Sequence, residues 1–290
     1  GVCFALIGAF LSSTPPFQNA MAMDANRCGI PVVYGFCRGV GSVSYAAAVL
    51  LLGFVLERHA PTLLLPVFAA LTACGLLAMS GFRLPERPDE AADRPAEHRS
   101  IAAVLRSHPR FALTLLGCMF FFLTHTISNT YMNALVGKAG GTASAVGTSL
   151  AISAVLELPA MTLVSRLQKR FSPGFFLRFA AGAEVVKFLI FYLARSMPLI
   201  YLGHCMQFFQ FAVYAPATVY YVAAALPERD QLKGQSLIYV AGSGLGGALG
   251  NLLGGRLLDR SGIQAALLLG TVSAAASLLT FCLSTRENSR

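Results

Sequence analysis

The sequence predicts an all-α polytopic membrane protein, and three observations carry that class. Nine apolar stretches, most of them long enough to cross a bilayer, fill almost the whole chain. Hydrophobic residues make up 56% of its 290 residues and charged ones 12%, against roughly 25% charged in a soluble domain; the mean hydropathy is +0.64. A few ionisable residues stand inside the apolar stretches. Charge in hydrocarbon is expensive, so those residues are where function is to be sought.

A spanning helix needs about 20 mostly apolar residues, because lipid offers its backbone no hydrogen-bond partner. Residues 2–23 form the first expected span, interrupted by Pro15-Pro16. Residues 34–56, rich in small side chains, form the second, and residues 61–82 the third. The character then changes. Over residues 83–110, Pro85, Pro88 and Pro95 are interleaved with Glu86, Arg87, Asp89, Glu90, Asp93, Arg94, Glu97 and Arg99. Such a mixture cannot bury itself and reads as a solvated linker. Six further spans are expected at 111–136, 142–167, 174–194, 199–226, 235–257 and 264–283. The domain reading is therefore three helices of an N-terminal bundle (1–82), a cytoplasmic linker (83–110) and a six-helix C-terminal bundle (111–290).

The loops give the orientation. One side carries Arg27, the linker arginines, Arg166, Lys169, Arg170, Arg178, Arg229, Lys233, Arg286 and Arg290; the other carries Arg58, Lys138, Arg195, Arg256 and Arg260. The richer side is cytoplasmic by the positive-inside rule. The linker and the C-terminus thus lie inside, in a multi-pass protein of the cell membrane. The chain opens Gly1-Val2-Cys3 and is apolar at once, without an initiator Met, a basic n-region or a cleavage signature. That is not a signal peptide, and the expectation is an N-terminally truncated piece of a longer protein.

Composition excludes several classes. The net charge of +9 matches the Lys/Arg excess of cytoplasmic loops, and no basic stripe interleaved with aromatics invites a nucleic acid. The seven cysteines are scattered, odd in number and mostly in apolar surroundings, with no metal spacing and no C-x-x-C. They read as free thiols packing as small hydrophobes. No H-E-x-x-H, no Ser/His/Asp set and no nucleotide loop is present, so neither an enzyme nor a metal or cofactor is expected. The glycines at 242, 244, 246, 247 and 250 are followed by no Lys-Ser/Thr and preceded by no strand, so they are not a phosphate cradle; they let helices approach closely.

The intramembrane polar residues are the candidates for chemistry. Glu184 and Lys187 stand at i and i+3, so they share a helix face. Buried together, they are either a static ion pair or a proton site whose occupancy depends on access to water. Gln207 and Gln210 also share a face and offer neutral hydrogen bonds, to a polyhydroxylated solute or between helices. Glu157 is flanked by apolar residues, where a bystander carboxylate is costly. His125 and His204 are single intramembrane histidines whose roles are packing or proton relay.

Several segments resemble a known family. Tyr34-Gly35-Phe36-Cys37-Arg38-Gly39-Val40-Gly41-Ser42-Val43 resembles the fifth helix of the lactose-permease-like branch of the major facilitator superfamily. Leu156-Glu157-Leu158-Pro159 resembles the acidic position of its eighth helix, Tyr220-Tyr221 the close of its tenth, and Gly254-Gly255-Arg256-Leu257-Leu258-Asp259-Arg260-Ser261-Gly262 its last inter-helix loop. The resemblance implies the superfamily fold with nine of twelve transmembrane helices present, the fourth to the twelfth. It implies a monomeric secondary transporter of a small polar solute, a sugar or glycoside, with proton coupling left open. In that branch the fifth-helix Arg and eighth-helix Glu hold the sugar and an aromatic stacks on its ring; carried over, these are Arg38, Glu157 and Tyr45. Gln207 and Gln210 join them as solute-binding candidates.

The family's coupling residues do not carry over. Its protonated tenth-helix Glu falls on Gln210, the neighbouring His on Gln207 and the ninth-helix Arg on Lys187; the charge pair of its seventh and eleventh helices falls near His125 and Gly247. A Gln carries no proton, so the coupling candidates here are Glu184, Lys187, Glu157 and His125. An exporter of amphipathic compounds, and a non-transporting or sensory membrane protein, are the other readings that this pattern of charges permits.

Overall fold

The computed structural model describes residues 25, 28–30, 32, 34–56, 59–81 and 100–285, without the side chains of 34, 35, 38, 61 and 228. The expected first span and most of the linker lie outside the described residues.

The described chain is helical throughout. Helix α1 (Tyr34–Leu56) is followed by a 3₁₀ turn at Pro61–Leu63 and by α2 (Leu64–Ser80). The end of the expected linker is not all coil. Residues Ile101–Ser107 form α3, started by the Ser100 hydroxyl, which accepts from the Ala103 N–H at 3.2 Å. That bond satisfies one of the donors every helix start leaves open. Then come α4 (Pro109–Thr130), α5 (Met132–Lys138), α6 (Ala143–Leu167) and α7 (Pro173–Leu193). Pro109 and Pro173 stand in the first turns of α4 and α7, where a missing N–H costs nothing.

The last four elements are less regular. Helix α8 (Met197–Cys205) passes into a 3₁₀ turn at Met206–Phe208 and resumes as α9 (Phe211–Ala225). Helix α10 (Glu228–Tyr239) widens into a π-helix over Val240–Gly246 before α11 (Gly247–Ser261). Gly262, at φ 77°, turns the chain into α12 (Ile263–Ser284); a side chain there would strain the backbone.

Six runs of described helix are long and apolar enough to cross a membrane: Gly39–Leu56, Pro109–Thr130, Ala143–Leu167, Met197–Ala225, Arg229–Ser261 and Ile263–Ser284. Two expected spans fall short for identifiable reasons. Helix α2 is 17 residues long, and α7 carries Arg178, Glu184 and Lys187. Three boundaries also move. The expected 111–136 span ends at Thr130, because Tyr131 leaves helical geometry (φ −103°, ψ 19°) and α5 starts a new axis. The 199–226 span is broken in its middle, and the 235–257 span lengthens to 229–261.

Small residues set the helix spacing. A Cβ at Gly246 would fall 2.3 Å from the Met119 carbonyl oxygen, and one at Gly250 2.6 Å from that of Leu123. The backbones of the π-helix and α11 therefore press directly on α4. Helices α4 and α12 are joined by hydroxyls: Ser277 donates to Gly117 O at 2.9 Å, and Ser273 to Phe120 O at 3.0 Å. In lipid such bonds and close packing replace the hydrophobic drive between helices. Helix α1 lies along α6 in the same manner, with Ala46 packed among Ala151 and Ala154 and Gly39 against Leu158. Aromatics fill the interior of residues 100–285: Phe111, Phe121, Phe176, Tyr214 and Phe281 in one cluster, Phe188 and Phe191 in another.

Candidate solute and coupling site

Glu157 stands in the middle of α6, two residues before Pro159, which lies inside the helix. Proline removes a backbone N–H and crowds the preceding turn, so α6 is locally weakened where its carboxylate projects. One oxygen, Oε2, accepts a hydrogen bond from the Ser42 hydroxyl of α1. The other, Oε1, accepts from Gln207 Nε2 at 3.0 Å. Gln207 Oε1 in turn accepts from Lys187 Nζ at 2.9 Å. A continuous hydrogen-bonded chain, Ser42–Glu157–Gln207–Lys187, thus crosses from α1 through α6 and the 3₁₀ turn to α7.

The break between α8 and α9 makes this possible. Phe209 and Gln210 both donate to Met206 O, and Val213 and Tyr214 both donate to Gln210 O, while Gln210 itself adopts φ −101°, ψ −93°. The i to i−4 ladder therefore lapses at the carbonyls of 207–209, and the two glutamines are not held on the spiral of one continuous helix. Broken spans with polar residues at the break are a recurrent way of building a site at membrane depth.

Next to this chain lies a set of buried polar groups without partners. Glu184 is fully buried, and neither carboxylate oxygen has a hydrogen bond. The Gln210 amide and the Lys187 ammonium are its neighbours, but both polar atoms of buried Gln210 also lack a completed hydrogen bond. Lys187 is 1% exposed and gives its hydrogen bond to Gln207, not to Glu184. Leaving a buried polar group unsatisfied costs about 1–3 kcal/mol, so Glu184 and Gln210 lower the stability of the fold where they stand.

The histidines are placed differently. His204 is held at both ring nitrogens, by the Ser153 hydroxyl at 2.7 Å and by Met132 Sδ at 3.3 Å, and its ring lies beside Phe191. His125 stacks flat on Phe211, with ring centroids 4.4 Å apart and planes 8° apart. Its Nε2 lies 3.1 Å from Asn129 Nδ2, and its buried Nδ1 has no partner. Tyr45 is 52% exposed on α1, three residues after Ser42, with Glu157 the charge its hydroxyl senses. Arg38 belongs to α1, one turn before Ser42; its side chain lies outside the described residues.

The structure thus brings Glu157, Gln207 and Lys187 into direct contact and sets Glu184 and Gln210 beside them. It keeps His125 and His204 in separate aromatic surroundings. Ser42 is the site member that the sequence reading passed over. It stands in the quoted Gly-Ser pair, and the spacing Arg38, Ser42, Tyr45 at i, i+4 and i+7 marks one helix face.

The chain as a whole is similar to several known proteins. A maltose permease of Geobacillus stearothermophilus is 29% identical over 281 residues, which cover 96% of this chain and 69% of the permease. An uncharacterized transporter, YwbF, of Bacillus subtilis is 23% identical over 289 residues, covering 99% and 70% respectively. Among solved structures, the E. coli fucose:proton symporter FucP superposes with a TM-score of 0.57 at 19% identity, over 84% of this chain and 65% of FucP. FucP in its outward conformation gives 0.54 at 18% identity, over 80% and 60%. The chain therefore spans less than two thirds of these solved transporters, and at such identities they speak to the fold alone. The description "MFS_1 like family" matches residues 2–269, nearly the full length, and the chain belongs to that family of major facilitator superfamily transporters.

Proposed function

We propose that the chain is part of a secondary transporter that moves a small polar solute, a sugar or glycoside, by alternating access across the cell membrane. The observation that carries this reading is the Ser42–Glu157–Gln207–Lys187 chain, a line of hydrogen-bonding groups between apolar helices, shared by the two parts of the molecule. Carboxylate and amide oxygens accept from sugar hydroxyls, amide and ammonium groups donate to them, and the aromatic Tyr45 beside Glu157 offers a flat apolar face. Arg38 and Gln210 complete the proposed solute contacts. A maltose permease among the relatives points to the same solute class.

In this reading Glu184 is the proton carrier, with Lys187 its partner and with Glu157 and His125 the remaining titratable groups near the path. The positively charged loops set the linker side in the cytoplasm. The test is transport by the whole protein in proteoliposomes, with radiolabelled maltose and fucose. Sugar flux well above that of protein-free vesicles, lost in Glu157→Gln, is the expected result. Flux of neither sugar above that background overturns the sugar reading.

A further inference from the structure

One ammonium in this molecule has two partners within reach and holds only one. Lys187 and Glu184 stand one turn apart on α7, a spacing at which side chains of opposite charge meet. Yet the ammonium is turned to Gln207 Oε1, 2.9 Å away on the broken span, and the Glu184 oxygens have no hydrogen bond. Gln207 is 5% exposed and is itself fixed from its other end, by the bond from Nε2 to Glu157 Oε1 at 3.0 Å. The two ends of an amide are not interchangeable: only the oxygen accepts and only the nitrogen donates. With an ammonium on one side and a carboxylate on the other, its orientation is fixed by charge.

We infer that Gln207 is a positioning residue that holds Lys187 away from Glu184, and that whatever detaches Gln207 from Glu157 releases the lysine to pair with Glu184. The inference rests on the transport reading for its purpose but not for its test. A solute hydroxyl that donates to Glu157 Oε1 takes the place of the Gln207 amide. Gln207 can then turn, Lys187 loses its acceptor, and its flexible stem carries the ammonium to the unpartnered carboxylate on its own helix. A carboxylate neutralised by an ammonium holds no proton, so the proton of a protonated Glu184 leaves to water as the pair forms. Solute arrival at Glu157 and proton departure from Glu184 are thereby linked through a side chain that never titrates. The other charged and titratable groups facing the pair are Glu157 from α6, His125 from α4 and His204 from α8; none of them changes partner in this scheme except Glu157.

A hydrophobic carbodiimide, which modifies protonated carboxyls in apolar surroundings, reads the state of Glu184 without requiring transport. The whole protein in proteoliposomes is labelled at neutral pH, and the modified peptide is quantified by mass spectrometry. Wild-type Glu184 should label. Gln207→Leu, which frees Lys187, should lower that labelling at least fivefold, and adding Lys187→Gln to Gln207→Leu should restore it. Gln207→Glu keeps an acceptor for Lys187 and should label like wild type, which separates tethering from loss of packing. Equal labelling of wild type and Gln207→Leu, or failure of the second substitution to restore it, overturns the inference. Maltose and fucose are then added to the wild type. If labelling drops with a sugar, solute displaces the tether. If Gln207→Leu behaves as expected but neither sugar has any effect, the tether stands and the sugar reading falls.

Discussion

Ser42 on α1 donates its hydroxyl hydrogen to Glu157 on α6, across the seam where Ala46 packs among Ala151 and Ala154. The bond joins the part of the chain before the linker to the part after it. It also occupies a carboxylate oxygen that a solute hydroxyl would need. Under the proposed transport reading, this contact belongs to one conformation and competes with the solute.

Removing the competitor has a defined consequence. Ser42→Ala leaves Glu157 Oε2 free for solute, and a hydrogen bond of this kind is worth about 0.5–1.5 kcal/mol net. The apparent affinity for sugar should therefore rise by about twofold to tenfold, read as a lower KM for flux in proteoliposomes. A KM that rises in Ser42→Ala would show the serine to be a solute ligand instead.

Glu157→Gln preserves the shape of the side chain and removes its charge. Hydrogen bonds to charged groups contribute about 1.5–3 kcal/mol, so sugar binding should weaken by roughly ten- to a hundredfold. Leu158→Ala, the adjacent position packed against Gly39, should loosen the α1–α6 seam with little change in binding. Equal losses in the two variants would remove Glu157 from the solute site.

The close approach of the π-helix to α4 is testable through stability. In Gly246→Ala the new methyl meets the Met119 carbonyl at 2.3 Å, backbone that cannot yield as a side chain can, whereas in Gly244→Ala the nearest atom is 3.8 Å away. Overpacking costs about 1–3 kcal/mol. Thermal unfolding in detergent should show a clear drop for Gly246→Ala and almost none for Gly244→Ala. Indistinguishable midpoints would mean that α11 can slide away from α4 freely.

The sequence made the helices and the charged residues visible and left their partners hidden. Hydropathy located the helices because lipid demands long apolar runs, and cost marked Glu157, Glu184 and Lys187. The break at 206–210 was invisible, since Gln207 and Gln210 fit a continuous helix equally well, sharing one face of it, and the lapse is one of hydrogen-bond register. The choice of Lys187 between Glu184 and Gln207 was equally hidden. Helical spacing favours the first, and only the path of the broken span brings the second within 2.9 Å. Ser42 was overlooked because a serine on a small-residue face looks the same whether it packs or donates. His204, which the sequence leaves as packing or relay, is held at both nitrogens in space.

Orientation can be checked at two described loops. With the native cysteines replaced by serine, Ala139→Cys lies between α5 and α6 and Gln168→Cys between α6 and α7. The positive charge of Arg166, Lys169 and Arg170 places the second inside. A membrane-impermeant thiol reagent should therefore label Ala139→Cys in intact cells and reach Gln168→Cys only after permeabilisation. The reverse pattern would invert the topology.

The last prediction concerns the energy source. Uphill transport on a proton gradient needs a group that carries a proton in one conformation and loses it in another. Gln207 and Gln210 cannot do this, and Glu184 is a fully buried carboxylate, with both oxygens unpartnered and a lysine one turn away. Glu184→Gln keeps the volume and mimics the protonated acid permanently. Exchange of sugar across the membrane at equilibrium moves no net proton and should persist near wild-type rates. Accumulation driven by an imposed pH gradient should be abolished. Lys187→Gln removes the cation that takes the proton's place, so it should also lose accumulation while keeping exchange, because Glu184 then stays protonated on both sides. Accumulation that survives Glu184→Gln would leave Glu184 and Lys187 as structural residues and pass the proton to Glu157. In that case Glu157→Gln would lose accumulation and binding together, a combination that the two carboxylates' separate roles do not allow.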